Sequence, residues 1–422
     1  MNAGFQGWVK PTAVKNWRKT GKFSMSTVMA ALLVTLLTSC LTSAVSHQFT
    51  IVGGAAVAVA YTVAALISPR ARLHPIFLFC AASLTVLVLV SSEVNTNDMP
   101  GTIHIFSCYI ATLALAVSTP DLSKFCRWVI FCNNILLTSF VMVQVLRNPS
   151  LKAWSIENPS GASNLMAAQI NMTLPFVLMK IHDSKEQRKL LWILLLCLNC
   201  AAVMAIMSRN GLGTMLIILT LYILFNHKSL SVFLVSSILL LMRFLDEIMQ
   251  IQFIHLLLIR FRIIGYKSMA PRSLIWEIAF HHIRENPWLG VGPGRPRKYL
   301  EVIDIYHAHN DIIQVAMETG VLSSALYTLM IGLLLSMPLL SLRRDRRTFM
   351  ACLPILAYFA YSWTGCPLGL PPATLLLAVC VNEARLHVSS RNAEEQALLL
   401  RRGTQRSTSV LPPIPGKLRP QS

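Results

Sequence analysis

Residues 272–320 read RSLIWEIAFHHIRENPWLGVGPGRPRKYLEVIDIYHAHNDIIQVAMETG and end the longest polar interruption in an otherwise apolar chain. Apolar runs recur on both sides of this stretch, from Ser24 to Val381. Each run has about twenty residues, enough for a helix to cross a hydrocarbon core of about 30 Å. We therefore predict an all-α polytopic membrane protein, with this stretch as part of its largest segment outside the membrane.

The composition agrees with a membrane protein. Of 422 residues, 54% are hydrophobic and 13% are charged, whereas soluble domains carry about 25% charged residues. The formal net charge is +19, and the positive residues lie mostly in short loops between apolar runs and at the two termini. Positive charge in that distribution marks membrane topology. We therefore expect membrane lipids, and no nucleic acid, as partners.

Loop charge predicts the topology. Basic segments at both ends place both termini in the cytoplasm, and alternating the spans from there gives about twelve transmembrane helices. The long loop lies outside by this count, and its amphipathic first part suggests short helices at the membrane interface. The predicted organisation is a cytoplasmic segment (1–23), helices one to nine (24–243), the long loop (244–310), helices ten to twelve (311–383) and a disordered basic tail (384–422).

Three polar side chains are predicted to meet on the outer side of the membrane. Arg209 lies at the end of span seven, Arg272 lies in the long loop, and His309 lies where that loop ends. Ionisable groups at membrane depth are costly and often functional. The structural alternatives are an arginine that reaches the interface from a helix end, for Arg209, and a solvated charge on a helix face, for Arg272.

A second histidine, His307, lies two residues before His309. In an extended segment both rings would face the same way, as in some metal sites. The available further ligands, His281, His282 and Glu285, do not complete a recognisable spacing, so we predict no metal site.

Two helix-boundary signals surround the histidines. Asn310 and Asp311 lie at the predicted start of span ten, where both residue types cap helices. Such a cap would hold the imidazole of His309 at a fixed point. Upstream, the sequence GVGPG lacks the lysine and the strand-to-helix setting of a phosphate-binding loop, so we interpret it as a tight turn. We also predict a bend in span ten at Gly320.

The spacing of these residues resembles that of a known family. His309–Asn310, nine intervening residues and Gly320 match the pattern His-[Asn/Ser/Gln]-x9-Gly of the bacterial O-antigen ligases and their relatives in the O-antigen ligase and polymerase superfamily. Ser323 departs from the Gly, Thr or Tyr preferred at the end of that pattern.

Two arginines extend the resemblance. Arg209, in SRNG, stands where the family has an arginine after a span. Arg272, ahead of Trp276 and the turn NPWLGVG, stands where the family has its second arginine.

The resemblance implies a GT-C-like glycosyltransferase of the bacterial inner membrane with one long periplasmic loop. Its implied reaction belongs to lipopolysaccharide biosynthesis. O-antigen polysaccharide is transferred from undecaprenyl pyrophosphate to a sugar hydroxyl of lipid A-core on the periplasmic face, without a cofactor.

Roles for the residues follow from this implied reaction. Arg209 and Arg272 would bind and neutralise the pyrophosphate, since guanidinium groups are permanently charged planar donors. His309, with an ordinary pKa of about 6.5, would accept the hydroxyl proton or orient the acceptor. His307, Asn310 and Trp276 are secondary candidates for the site. Direct attack would invert the anomeric centre, and the absence of an Asp-x-Asp pair from the long loop predicts a metal-independent reaction.

Other functions remain open from the sequence. An O-antigen polymerase or a protein O-oligosaccharyltransferase would use the same donor with another acceptor. A transporter of lipid-linked glycans would carry charged residues facing a pathway near the membrane midplane. Charges that cluster at one surface favour the enzyme.

Overall fold

The computed structural model describes residues 47–95, 99–147, 163–206, 208–226, 272–301, 305, 307–342, 346–363 and 365–408. The predicted first and ninth spans, the amphipathic part of the long loop before residue 272 and the tail beyond residue 408 lie outside these ranges.

The first half of the described chain contains α1 (His47–Ile67), β1 (Arg72–Leu73), α2 (Pro75–Val94), α3 (Met99–Thr112), a 3₁₀ turn (Leu113–Ala116), β2 (Val117–Ser118), α4 (Ser123–Arg147), α5 (Ser163–Asp183), α6 (Glu186–Ile206) and α7 (Arg209–Asn226). The second half contains α8 (Arg272–Glu285), α9 (Pro296–Leu300), α10 (Asp311–Thr319), α11 (Val321–Ser341), α12 (Arg346–Ser362), a 3₁₀ turn (Pro367–Gly369) and α13 (Pro371–Thr408).

Within the described residues, six helical segments are long and apolar enough to cross a membrane. They are α2, α3 with its 3₁₀ turn, α4, α6, α7 and α11. The protein is therefore an all-α membrane protein in its described part, apart from the short pair of strands. This agrees with the predicted fold class.

Helix α5 is the central helix of the bundle. Every residue from Leu165 to Leu178 is buried, and α5 packs against α4, α6, α7 and α12. Its buried polar residues include Asn171 and Thr173. Such side chains are tolerated at membrane depth where they face protein, because neighbouring helices supply their hydrogen bonds.

Loops predicted to share a side of the membrane contact each other. The strands β1 and β2 pair antiparallel, with Arg72 opposite Ser118. They come from the loops after the second and fourth predicted spans, which lie on the cytoplasmic side when the spans alternate from a cytoplasmic N-terminus. At the same predicted side, Arg347 Nη2 lies 2.7 Å from Asp183 Oδ1. The relative grouping of these loops agrees with the alternating topology, and their assignment to the cytoplasm stays a prediction.

Two elements differ from the predictions. The predicted span ten is two helices, α10 and α11, separated at Gly320. The prediction that the chain is disordered from residue 384 onward is wrong as far as Thr408, because α13 continues to that residue. This part is rich in Ala, Leu, Glu, Gln and Arg, which are good helix formers. It is also held by Arg385, whose Nη1 donates to Leu115 O at 2.6 Å.

Candidate active site

The glycine-rich turn, residues 287–294, packs onto the junction between α10 and α11. The N–H of Val291 donates to Met317 O at 2.8 Å, and the N–H of Gly292 donates to Glu318 O at 3.1 Å. In the other direction, Val321 N–H donates to Pro287 O at 2.8 Å. The last carbonyls of a helix have no partner within the helix. The turn therefore supplies the donors that α10 lacks where it ends.

Two glycines make this close approach possible. Gly320 has a φ of 92° and Gly290 a φ of 64°, a region that glycine enters without a steric penalty. A Cβ on Gly320 would lie 2.0 Å from the carbonyl oxygen of Trp288, and one on Gly290 would lie 2.5 Å from that of Met317. The predicted tight turn is thus confirmed, and its function is to pack against the helix break.

Helix α2 holds the same turn from its other side. Ser91 Oγ lies 2.5 Å from Leu289 O and 3.1 Å from Glu318 O, so its single hydroxyl hydrogen can be donated to either carbonyl. Asn95 Nδ2 donates to Gly290 O at 3.2 Å. The only local indication of this contact is a pair of polar residues one turn apart at the end of an apolar run.

At the start of α10, Asn310 caps the helix as predicted. Its Oδ1 accepts from the N–H groups of Ile312 at 2.9 Å and Ile313 at 3.1 Å. Asp311 has a different role from the predicted cap.

The carboxylate of Asp311 is buried. Its Oδ2 accepts hydrogen bonds from Tyr327 on α11 and Ser362 on α12, each at 2.8 Å. Asp311 therefore anchors the first turn of α10 to two neighbouring helices.

The segment His307–Ala308–His309 is held through the backbone of its middle residue. Ala308 is buried, its N–H donates to Gln314 Oε1 at 2.8 Å, and its carbonyl accepts from Trp276 Nε1 at 3.0 Å. Trp276, predicted as a secondary candidate, thus contacts the histidine segment through its indole N–H. The side chain that binds the N–H of Ala308, Gln314, was missed.

The backbone at His309 is in the left-handed region, with a φ of 53°, and is alone in this among the non-glycine residues that the structure describes. The segment therefore does not have the extended conformation in which both rings would face the same way. The two imidazole rings nevertheless meet, edge to face, with centroids 4.0 Å apart. The N–H of His309 donates to His307 Nδ1 at 3.3 Å. A neutral His307 therefore carries its proton on Nε2.

Both histidines are poor proton binders in this environment. Burial lowers the pKa of His307. Burial, together with the nearby His307 and the positive charge of Arg272, lowers the pKa of His309 to about 3. At neutral pH the imidazole of His309 is therefore uncharged and carries a nitrogen lone pair that can accept a proton.

Arg272 and Arg209 are the first residues of α8 and α7. Burial and the positive charge of Arg209 lower the pKa of Arg272, so the two guanidinium groups lie within electrostatic range of each other. Arg272 in turn acts on His309. The structure thus brings together three side chains from separate parts of the sequence, and their catalytic roles stay predictions.

The glycine after Arg209 allows the start of α7 to approach α5. A Cβ on Gly211 would lie 2.6 Å from the Cβ of Ala167. The carbonyl of Gly211 accepts from Asn171 Nδ2 at 2.7 Å. Small residues in SRNG therefore set the position of the helix end that carries Arg209.

The possible metal ligands on α8 form local pairs. His281 Nε2 lies 3.3 Å and His282 Nδ1 lies 3.2 Å from the carboxylate of Glu285. His282 also packs on the ring of Tyr299, with centroids 4.1 Å apart. In the part of the chain that the structure describes, no three His, Cys, Asp or Glu side chains are grouped as metal ligands. Metal independence stays a prediction.

Gln314 and Glu318, near the site, were not predicted as site residues from the sequence. Gln314 Nε2 donates to Glu318 Oε1 at 2.7 Å, and Glu318 is 4% exposed. A signal was available, since the two residues lie four apart in the otherwise apolar stretch that precedes Gly320.

Comparison with known proteins adds one match. A search of the curated proteins found none similar to this chain. A family model described as O-antigen ligase matches residues 192–328, a segment that runs from α6 into α11 and includes Arg209, Arg272 and His309. Residues 192–328 are therefore similar to the O-antigen ligase family, in agreement with the resemblance in the motifs.

Proposed function

We propose that the protein is an inner-membrane glycosyltransferase of lipopolysaccharide biosynthesis. It transfers O-antigen polysaccharide from undecaprenyl pyrophosphate to a sugar hydroxyl of lipid A-core. The observation that carries the proposal is that Arg272 interacts electrostatically with both Arg209 and His309, within the segment that matches the family model.

The arginines bind the pyrophosphate of the donor. Two guanidinium groups within electrostatic range raise each other's energy, and a bound anion reverses that cost. Arginine also offers paired donors with the geometry of phosphate oxygens. As the sugar–oxygen bond breaks, negative charge grows on the departing pyrophosphate, and cations already in position stabilise it.

His309 is the general base. The acceptor hydroxyl oxygen forms a bond to the anomeric carbon, the bond from that carbon to the pyrophosphate oxygen breaks, and its electron pair leaves with the lipid pyrophosphate. The hydroxyl proton passes to the imidazole. The pKa of about 3 belongs to the free protein. A bound pyrophosphate offsets the charge of Arg272, so donor binding makes the imidazole a stronger base. Direct displacement inverts the anomeric centre.

The proposal includes the finer architecture. We assign about twelve transmembrane helices with both termini in the cytoplasm, a GT-C-like arrangement and an active site on the periplasmic face. The long periplasmic loop extends to Gly320 in this assignment, because α10 packs against α8 as well as α11. The contacts between loops of like predicted side support it.

The test is a reconstituted transfer assay with purified protein and one undecaprenyl-pyrophosphate-linked glycan. Lipid A-core is offered beside a second acceptor, the non-reducing end of the glycan. We expect transfer to lipid A-core, and losses of about a hundredfold or more in kcat/KM for the alanine variants of Arg209, Arg272 and His309.

The matched control is Arg70→Ala, which removes an exposed arginine whose Nη1 lies 3.8 Å from Asp121, in a loop of the opposite predicted side. An exposed ion pair of this kind contributes about 0–1 kcal/mol, so the control variant should keep wild-type transfer. Normal turnover by His309→Ala would exclude the general-base role.

Two further arms separate the remaining alternatives. Elongation of the glycan in place of transfer to lipid A-core would identify a polymerase, and glycosylation of a protein acceptor would identify an oligosaccharyltransferase. Transfer in detergent, without two compartments, is not expected of a transporter. Activity should survive excess EDTA; activity lost with EDTA and restored by Mg²⁺ or Mn²⁺ would show that the reaction needs a divalent metal.

A further inference from the structure

The histidine segment adopts a backbone conformation that requires support. His309 has a φ of 53°, and a left-handed conformation costs a residue with a Cβ about 1–2 kcal/mol. Such conformations persist where surrounding contacts hold them. The contacts here are made to Ala308, whose N–H and carbonyl are both occupied by side chains.

Of these two contacts, the one to the N–H belongs to a longer chain of hydrogen bonds. Ala308 N–H donates to Gln314 Oε1 at 2.8 Å, and Gln314 Nε2 donates to Glu318 Oε1 at 2.7 Å. Glu318 also accepts a hydrogen bond from the backbone of Gly294. The chain therefore connects the histidine segment, helix α10 and the glycine-rich turn.

The order of donors and acceptors explains the residue types. An amide side chain has one acceptor oxygen and one donor group. Because Glu318 offers oxygens to its amide nitrogen, Gln314 is held with its own oxygen toward Ala308. If the amide of Gln314 were flipped, its Nε2 donor would face the N–H donor of Ala308, and neither would have an acceptor. Glu318 thus fixes the orientation of Gln314, and Gln314 fixes Ala308.

We infer that Gln314 and Glu318 are positioning residues for His309, acting through the N–H of Ala308. The inference rests on the proposed function, since it assigns to these residues the placement of the base. They touch neither substrate nor the reacting atoms in this scheme. Their loss should lower kcat, while the KM for the lipid-linked donor, set by the arginines, stays near its wild-type value.

The two residues can be exchanged without losing a hydrogen bond. In the double variant Gln314→Glu/Glu318→Gln, one carboxylate oxygen of the new Glu accepts from Ala308 and the other accepts from the new amide. The oxygen of that amide accepts from Gly294. In the single variant Gln314→Glu, the carboxylate of the new Glu faces the carboxylate of Glu318, and the Nε2 donor that joined the two side chains is lost. The single variant Glu318→Gln offers one amide oxygen to two donors, Gln314 Nε2 and the N–H of Gly294, and its own amide nitrogen is a donor, so one of the two loses its acceptor.

The experiment measures kcat, the donor KM and the melting temperature of these three variants in detergent. Gln314→Glu should lose about tenfold to a hundredfold in kcat, since small misplacements of a catalytic group have effects of this size. Glu318→Gln should also lower kcat, because it removes one of the two acceptor oxygens, and the double variant should recover most of the lost kcat. Gln314→Met, which keeps the length of the side chain without its polar atoms, provides the same test if Gln314→Glu does not fold.

Ser324→Ala is the matched structural control. It removes the hydrogen bond from Ser324 Oγ to Ile312 O, 3.0 Å long, between α11 and α10 and without contact to Ala308. We expect Ser324→Ala to lower the melting temperature about as much as the Gln314 variants do, and to keep the kcat of the wild-type protein.

The outcomes separate the inference from the proposed function. The inference is overturned if Gln314→Glu and Gln314→Met keep wild-type kcat, if the folded double variant stays as slow as Gln314→Glu, or if Ser324→Ala is equally slow. Full turnover by His309→Ala, or no transfer by the wild-type protein, would instead overturn the proposed function.

Discussion

Replacing Gly320 with alanine should separate the glycine-rich turn from helix α10. At a φ of 92°, alanine is strained by about 1–2 kcal/mol. Its Cβ would lie 2.0 Å from Trp288 O, so the turn must move. Movement breaks or lengthens the three backbone hydrogen bonds that join the turn to the junction, each contributing about 0.5–1.5 kcal/mol. We expect a total loss of about 3–6 kcal/mol in local stability.

The assay compares Gly320→Ala with Gly332→Ala, a substitution in the same pair of helices. A Cβ on Gly332 has no neighbour within 4 Å, and alanine is the better helix former by about 1 kcal/mol. Melting temperatures are measured in one detergent at one scan rate, because the unfolding of such proteins is often irreversible. Gly320→Ala should melt lower and lose transfer, while Gly332→Ala should melt at or above wild type. Equal melting and equal turnover of the two variants would refute the assigned function of the glycine.

Three further predictions follow from individual contacts. Trp276→Phe keeps an aromatic six-membered ring but loses the pyrrole ring and its N–H, so kcat should fall about tenfold with a stability loss of about 1 kcal/mol or more, as measured by steady-state kinetics and melting. Asp311→Asn replaces a carboxylate that accepts two hydroxyl hydrogen bonds by an amide with one acceptor oxygen. It should lower stability by about 1–3 kcal/mol, as a melting comparison with wild type would check. For His309, whose pKa lies near 3 in the free protein, the neutral form dominates from pH 7 down to about 4. The pH profile of kcat/KM should therefore show no fall in rate near pH 6.5. The profile of kcat reports the donor complex, and its acidic limb should lie at a higher pH than the acidic limb of kcat/KM. A limb of kcat/KM near pH 6.5 that disappears in His309→Gln would contradict the low pKa.

The helical architecture was predictable because it rests on local properties. An apolar run and its flanking charges are read from neighbouring residues. The described spans accordingly begin and end close to the bounds of the apolar runs, which are about 48–67 for α1 (His47–Ile67) and about 162–181 for α5 (Ser163–Asp183). The exception is α13, in which basic and polar residues continue a helix beyond the membrane-spanning part. Its contact with Leu115 joins residues far apart in sequence and left no local trace.

The sequence predicts that the three site residues lie on the same side of the membrane, but not that their side chains interact. Counting spans placed Arg209, Arg272 and His309 at one surface, and this needs no knowledge of packing. The coupling between the three side chains depends on how α7 approaches α5 and how α8 approaches α10. Those approaches are set by single contacts, such as the one between Gly211 and Ala167. The sequence shows small residues there without identifying their neighbours.

The structure also gives the residues of the His-Asn-x9-Gly pattern different roles. A helix that ends near the membrane leaves carbonyl groups that must find donors in the protein. Asn310 satisfies the donors at the start of α10, and the turn that packs against Gly320 satisfies acceptors at its end. With both ends satisfied and Asp311 anchored to two other helices, α10 is a rigid support for His309, and a catalytic group needs such support to be held within about 0.5 Å. Substitutions at Asn310 and Gly320 should therefore act on stability and on turnover together, whereas His309→Gln should lower turnover by about a hundredfold or more and leave the melting temperature near that of wild type.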